Sequence, residues 1–147
     1  MGLVLNRPAA VAAADAVPQL GGLIEPDDPV YLGGPVQPSA VVALAELEDP
    51  SEAAAIVFDD VGFLPADADP DRLADSARQV RIFAGYAGWG PGQLEAELEQ
   101  SAWIVFEAPE AGEVFPVAPG ELWSAVLRRK GGPFALLALM PLDPSMN

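Results

Sequence analysis

Gly85-Tyr86-Ala87-Gly88-Trp89-Gly90-Pro91-Gly92-Gln93-Leu94-Glu95 follows the apolar run Val80-Arg81-Ile82-Phe83-Ala84 and leads into a helical pattern. Its four glycines leave the backbone free for positive φ or close approach, while Tyr86 and Trp89 supply bulk. The preceding run is short, apolar and bounded, as a buried strand is. After the turn, Pro91 suits the first helical position and Gly90 an N-cap. Leu94 and Leu98 then share one face, continued by Ser101, with Glu95 and Glu99 on a second row and Glu97 on the opposite flank. The spacing predicts a helix from Gly90 to Gln100, then a strand over Trp103-Ile104-Val105-Phe106 stopped by Pro109. The unit is strand, glycine turn, short helix, strand.

A glycine-rich turn entering a helix offers free N–H groups to an anion, which invites a nucleotide reading. The glycines at 85, 88, 90 and 92 give no G-x-G-x-x-G register, and no Gly-Lys-Ser/Thr follows. A tight turn packed beneath Trp89 is the better reading.

Composition narrows the function classes. The 147 residues suffice for one domain with a real core, and 51% hydrophobic residues exclude wholesale disorder. No run approaches the roughly eighteen apolar residues of a membrane span, and Met1-Gly2-Leu3 lacks the basic start of a signal peptide. A cytoplasmic protein without a membrane partner is expected. Cysteine and histidine are both absent. Thiolate chemistry, disulfides, Ser-His-Asp catalysis and the commonest metal ligands are therefore excluded. The mechanisms that remain use carboxylates, Lys130, hydroxyls or an oxygen-bound metal, and no catalytic constellation is recognisable among them, so the expectation is a protein that is not an enzyme and holds no cofactor or metal.

The net charge of −15, from 22 acidic and 7 basic residues, opposes direct contact with nucleic acid. The single basic cluster, Arg128-Arg129-Lys130, reads as cations at a helix C-terminus.

Along the chain, Gly2 to Leu5 reads as an apolar strand ended by Asn6-Arg7-Pro8, with Asn6 tying down the turn. Ala9 to Ala16 carries too little pattern to assign. Pro29-Val30-Tyr31-Leu32 is a brief strand and Gly33-Gly34-Pro35 a sharp turn. Near Pro38 a helix is expected, with Ala40, Val41, Leu44 and Leu47 as its apolar stripe. From Glu46 to Asp75 carboxylates dominate, with Arg72 as the one basic residue and Ala54 to Phe58 as the clear strand. Asp59-Asp60 before Gly62 marks a turn; its spacing fits no EF-hand loop, so a solvated acidic loop is preferred to a cation site. Asp67 to Asp71 reads as a connection and Asp71 to Gln79 as a short helix. Glu113 to Val117 reads as an edge strand, because its proline cannot donate to a ladder. Leu122, Trp123, Val126 and Leu127 form the apolar face of a helix ended by Gly131, which places Trp123 in the core. Phe134 to Met140 reads as a buried strand, and the tail from Asp143 adds nothing to the core. Short strands among short helices, without regular alternation, argue for an α+β fold.

The central motif, followed by Trp103, closely resembles the signature of the YqgE/AlgH family of bacterial proteins. Gly2-Leu3-Val4-Leu5-Asn6-Arg7-Pro8, Tyr31-Leu32-Gly33-Gly34-Pro35-Val36, Trp123 and Asp143-Pro144-Ser145-Met146-Asn147 agree in order. The resemblance implies a mostly antiparallel bifurcated sheet curled into a pseudo-barrel with short helices packed outside. It implies little about activity, since the family is largely uncharacterised; one branch carries a name suggesting transcriptional control of an exopolysaccharide. It also implies a single domain over 1–147 that lacks N-terminal strands, leaving an edge at Gly2 through which the chain would self-associate.

The leading functional expectation is a non-enzymatic, regulatory protein that binds a protein partner with a basic surface. A small-molecule or metal-binding protein is the alternative, with its pocket where three glycine-rich turns converge. Asn6, Gly33, Gly34, Gly85, Tyr86, Gly88, Trp89 and Gln93 are the candidate site residues in either case. Direct DNA binding by a transcriptional regulator is the third reading, suggested by the family name and opposed by the charge.

Overall fold

The computed structural model describes residues 1–106, 111–115 and 118–140. Pro109, Pro116, Val117 and the tail from Asp143, on which expectations were placed, lie outside the described residues.

Among the described residues, six strands form one sheet: β1 (Pro8–Ala12), β2 (Pro29–Leu32), β3 (Val36–Leu47), β4 (Ala55–Phe58), β5 (Val61–Phe63) and β6 (Ala77–Tyr86). Their order is β1-β2-β6-β3-β5-β4. Only β2 against β6 is parallel; the remaining neighbours are antiparallel. Among the described residues, six short helices complete the fold: α1 (Ala13–Ala16), α2 (Pro70–Leu73), α3 (Gln93–Glu99), α4 (Ala111–Val114), α5 (Leu122–Lys130) and α6 (Pro133–Leu137). The α+β class and the mainly antiparallel sheet with short helices are as expected. The sheet ends in two edges, β1 and β4, rather than closing on itself.

The long central pair β3 and β6 buries both faces, because successive residues of a strand point to opposite sides. Ile82 packs with Ala13, Val17, Leu20, Ile24 and Val30, while its neighbour Phe83 packs with Tyr31, Leu44, Val61, Val114 and Phe115. Ala45 and Leu47 join Leu64 and Leu73 in a third cluster. Two-sided burial explains the main correction to the sequence reading. The stretch expected to be a helix with Ala40, Val41, Leu44 and Leu47 as its stripe is the 12-residue strand β3. A strand apolar on both faces shows no alternation, so its residues matched a helical spacing by chance. Pro38 sits where the β3 register against β6 is broken between Val36 and Val41, a position that needs no ladder N–H.

Other boundaries move for local reasons. Gly2 makes only an isolated bridge to Ala87, and the first strand is instead Pro8–Ala12. The β4 and β5 hairpin turns at Asp59-Asp60, with Asp59 at φ 43°. Asp60 then accepts from Arg78 at 2.8 Å, and Glu46 does so at 3.3 Å, so a cross-strand arginine offsets part of the acidic stretch. The helix expected over 71–79 is the single turn α2, after which β6 begins at Ala77. Residues 103–106 are not a strand, because they pack on the end of α5: Arg129 lies 4.1 Å over the Phe106 ring, and the Lys130 ammonium donates to the Val105 carbonyl. Ala111–Val114 is helical rather than an edge strand. Gly131 and Gly132, both at positive φ, turn the chain so that Pro133 opens α6 where a buried strand was expected. In α5, Leu127 occupies the core at 1% exposure while Trp123, expected there, is 45% exposed. The basic residues 128–130 do fall in the last turn of α5, and Gly131 ends it at φ 73°.

Candidate functional site

The ends of β2 and β6 meet through their glycines. Gly33 donates its N–H to the Ala84 carbonyl at 2.9 Å and accepts from Val4 at 2.9 Å. A Cβ on Gly33 would lie 2.3 Å from the Gly85 carbonyl oxygen, and one on Gly34 would lie 2.2 Å from the Tyr86 carbonyl carbon. Gly85, at φ +69°, faces the Gly34 oxygen with only 2.6 Å to spare for a Cβ. Three of the expected glycines thus pack backbone on backbone. Tyr86 pairs with Val36 across β3. Gly88 is exposed and meets nothing closer than 3.5 Å. Asn6 is half-buried in the bend before β1, next to Arg7, whose carbonyl accepts from Leu32 at 2.8 Å.

Beyond the glycines, Trp89 covers Gly2, whose hypothetical Cβ would be 3.1 Å from two carbons of the indole ring. The helix starts later than expected, at Gln93, because Gly92 at φ 74° is left-handed and stands as its N-cap. Pro91 therefore precedes the helix. Gln93 Oε1 accepts the Gly90 N–H at 3.1 Å, and Gln93 Nε2 donates to Glu97 Oε1 at 2.9 Å.

Glu97 is where the site closes. Its Oε2 accepts the indole N–H of Trp89 at 3.1 Å and that of Trp103 at 2.8 Å. The two indoles meet edge-on with centroids 5.8 Å apart. The hydrogen bonds from Gln93 first, then Trp103 and Trp89, hold the Glu97 carboxyl below the usual carboxylate range, against a smaller opposing effect of burial. A helix C-terminal turn returns Trp103 to this point. Ser101 sits left-handed at φ 55°, its N–H donates to Leu98 at 3.0 Å, and the Ala102 N–H donates to Glu97 at 3.0 Å. That pair of bonds is the Schellman motif, which reverses the chain.

The structure therefore brings Gly33, Gly34, Gly85 and Tyr86 together, opens α3 at Gln93, and ties Trp89, in the turn before α3, to that helix through Glu97. Sequence reasoning missed Glu97 and Trp103 as partners in this site. The signal was the i, i+4 spacing of Gln93 and Glu97 inside a segment bracketed by two tryptophans.

On the sheet, a cavity of about 270 Å³ between the residue 23–29 segment and β6 is lined by Glu25, Asp28, Tyr31, Arg81 and Phe115 among others. The Arg81 guanidinium lies 4.3 Å over the Tyr31 ring and donates to the Val114 carbonyl at 2.9 Å. Burial lowers its pKa from the ordinary arginine value, offset in part by Tyr31 and Asp28. Among the described residues, no group of three acidic side chains is placed to hold a metal ion, and no helix is long and apolar enough to cross a membrane.

Comparison with known proteins places the chain. A UPF0301 protein of Thermobifida fusca is 38% identical over 157 aligned residues, spanning 100% of this chain and 79% of that protein. One from Streptomyces coelicolor is 40% identical, with the same two coverages of 100% and 79%. In solved structures, the fold matches a Corynebacterium diphtheriae protein at TM-score 0.81 and 26% identity, covering 92% of this chain and 73% of that one. It matches the AlgH protein of Pseudomonas aeruginosa at TM-score 0.66 and 30% identity, covering 97% and 78%. The AlgH-like family model matches residues 1–135, and the chain belongs to that family.

Proposed function

We propose that this chain is a cytoplasmic protein-binding module with a regulatory role and no catalysis of its own, whose partner presents a basic surface. The observation that carries this reading is where large apolar side chains lie open to solvent. Of the fifteen such residues among those described, nine fall between Leu98 and Met140, including Trp103, Trp123 and Leu139. Exposed apolar side chains concentrated in one stretch of the chain favour an interaction role there, because exposed apolar surface rimmed by polar groups marks binding sites. The net charge of −15 adds a preference for a cationic partner and opposes direct contact with DNA.

The test is capture of partners on the immobilised chain, identification, and measurement of the purified pair at about 0.05 and 0.5 M salt, where the screening length falls severalfold. A basic partner bound more weakly at high salt is expected. A partner indifferent to salt, or an acidic one, overturns the reading.

A further inference from the structure

The Glu97 carboxylate stands out among the described residues for taking three hydrogen bonds from side chains, whereas Asp28, Asp49 and Asp69 each accept one backbone N–H from a neighbour in sequence. Glu46 and Asp60 are answered by Arg78, and Glu113 by Arg129 at 2.8 Å. Glu97 instead takes three hydrogen bonds from neutral donors, and no ion pair to it is formed among the described residues. Neutral donors fix its position without cancelling its charge. Two carboxylate oxygens offer about four acceptor directions in all, so three bonds leave room for a further donor.

Its surroundings suit a particular kind of donor. Trp103 is 47% exposed, and Leu98 and Val105 are exposed nearby in the chain. An ammonium or guanidinium reaching the carboxylate would pass the indole of Trp103, where ring electrons attract cations, and lay its methylene stem on apolar surface. The carboxylate is already held, so docking there requires little further ordering.

We propose that the Trp89, Glu97 and Trp103 cluster is the docking point for a lysine or arginine side chain of a protein partner, presented beside apolar side chains. The proposal rests on the reading of the chain as a protein-binding module and names the contact that selects a basic partner. Nucleic acid and anionic lipid are disfavoured there, because both bring negative charge to a fixed negative group.

The experiment is a titration of the 15N-labelled chain with an unstructured peptide of Lys, Val and Gly, matched by one with every Lys replaced by Gln. The indole N–H signals of Trp89 and Trp103 should move with the lysine peptide and stay still with the glutamine peptide. Glu97→Gln should weaken binding about 5- to 20-fold, whereas Glu99→Gln, the same charge change on the same helix, should weaken it less than about 2-fold. Stationary indole signals in the unaltered chain overturn the proposal without reliance on any variant. Equal weakening by both substitutions also overturns it and assigns the attraction to diffuse surface charge. A captured basic partner whose salt-sensitive affinity is untouched by Glu97→Gln would remove this site and leave the binding-module reading standing.

Discussion

The indole N–H of Trp103 donates to Glu97 Oε2 at 2.8 Å, the same oxygen that takes the Trp89 indole at 3.1 Å. One carboxylate thereby ties the segment after α3 to the glycine turn before it. Because its folded-state pKa lies below the unfolded one, this carboxylate stabilises the fold above the unfolded pKa, and the contribution is lost as pH falls through the folded pKa. Followed by NMR, the indole N–H signals of Trp89 and Trp103 should titrate together, with a midpoint below that of glutamate in an unstructured peptide. Signals that titrate separately, or at the ordinary glutamate midpoint, would show that the shared carboxylate does not hold them.

The glycine junction predicts a sharp contrast among neighbours. Gly34→Ala would put a methyl group 2.2 Å from the backbone of Tyr86, with no flexible side chain to yield. A loss of about 2–4 kcal/mol in urea unfolding is expected, the size of other backbone-strain mutations. Gly88→Ala meets nothing closer than 3.5 Å and should stay within about 0.5 kcal/mol of the parent.

How much of this was legible in the sequence depends on which physical signal each residue carries. The strand through Phe83 and the brief strand at Tyr31 stood out because glycines and prolines bound them. The strand from Val36 to Leu47 did not, since Leu44 and Leu47 enter cores on opposite faces of the sheet and leave no alternation to read. In the site, the glycines announced a close approach. The link from Glu97 to Trp103 stayed hidden because it depends on a left-handed residue that is serine, where glycine would have signalled the reversal.

Arg81 joins the helical segment at 111–114 to the sheet. Its guanidinium stacks on Tyr31 at 4.3 Å, lies 5.8 Å from the Phe115 ring centre, and donates to the Val114 carbonyl. Arg81→Met should cost about 1–3 kcal/mol, typical of hydrogen bonds made by charged groups, and should speed hydrogen exchange at the Val114 and Phe115 amides. Arg81→Lys should restore little, since an ammonium lacks the planar face that stacks on both rings. Unchanged exchange in both variants would mean that burial of Phe115 alone holds the segment.

In α5 the two large apolar residues have opposite duties. Leu127→Ala, at a position 1% exposed, should lose about 2–4 kcal/mol by leaving a cavity. Trp123→Ala, at 45% exposure, should change stability by about 1 kcal/mol or less. If Trp123 belongs to the interaction surface, its loss should weaken partner binding while the melt is nearly unchanged. A large drop in stability on Trp123→Ala would place it in the core after all.

Ser101 offers a gain of stability. It holds the left-handed position of the Schellman turn at φ 55°, a conformation that costs an L-residue about 1–2 kcal/mol and glycine almost nothing. Ser101→Gly relieves that strain but gives the unfolded chain more freedom, an opposing effect of about 0.4–1 kcal/mol. The net expectation is a stabilisation of about 0.5–1 kcal/mol, read as a higher urea midpoint with an unchanged slope. The two hydrogen bonds of the turn, from Ser101 to Leu98 and from Ala102 to Glu97, use backbone atoms alone and survive the change. The Trp103 contact with Glu97 should therefore be kept, and the indole signals should titrate as in the parent. A loss of stability would show that the serine side chain contributes more to the turn than its backbone strain removes.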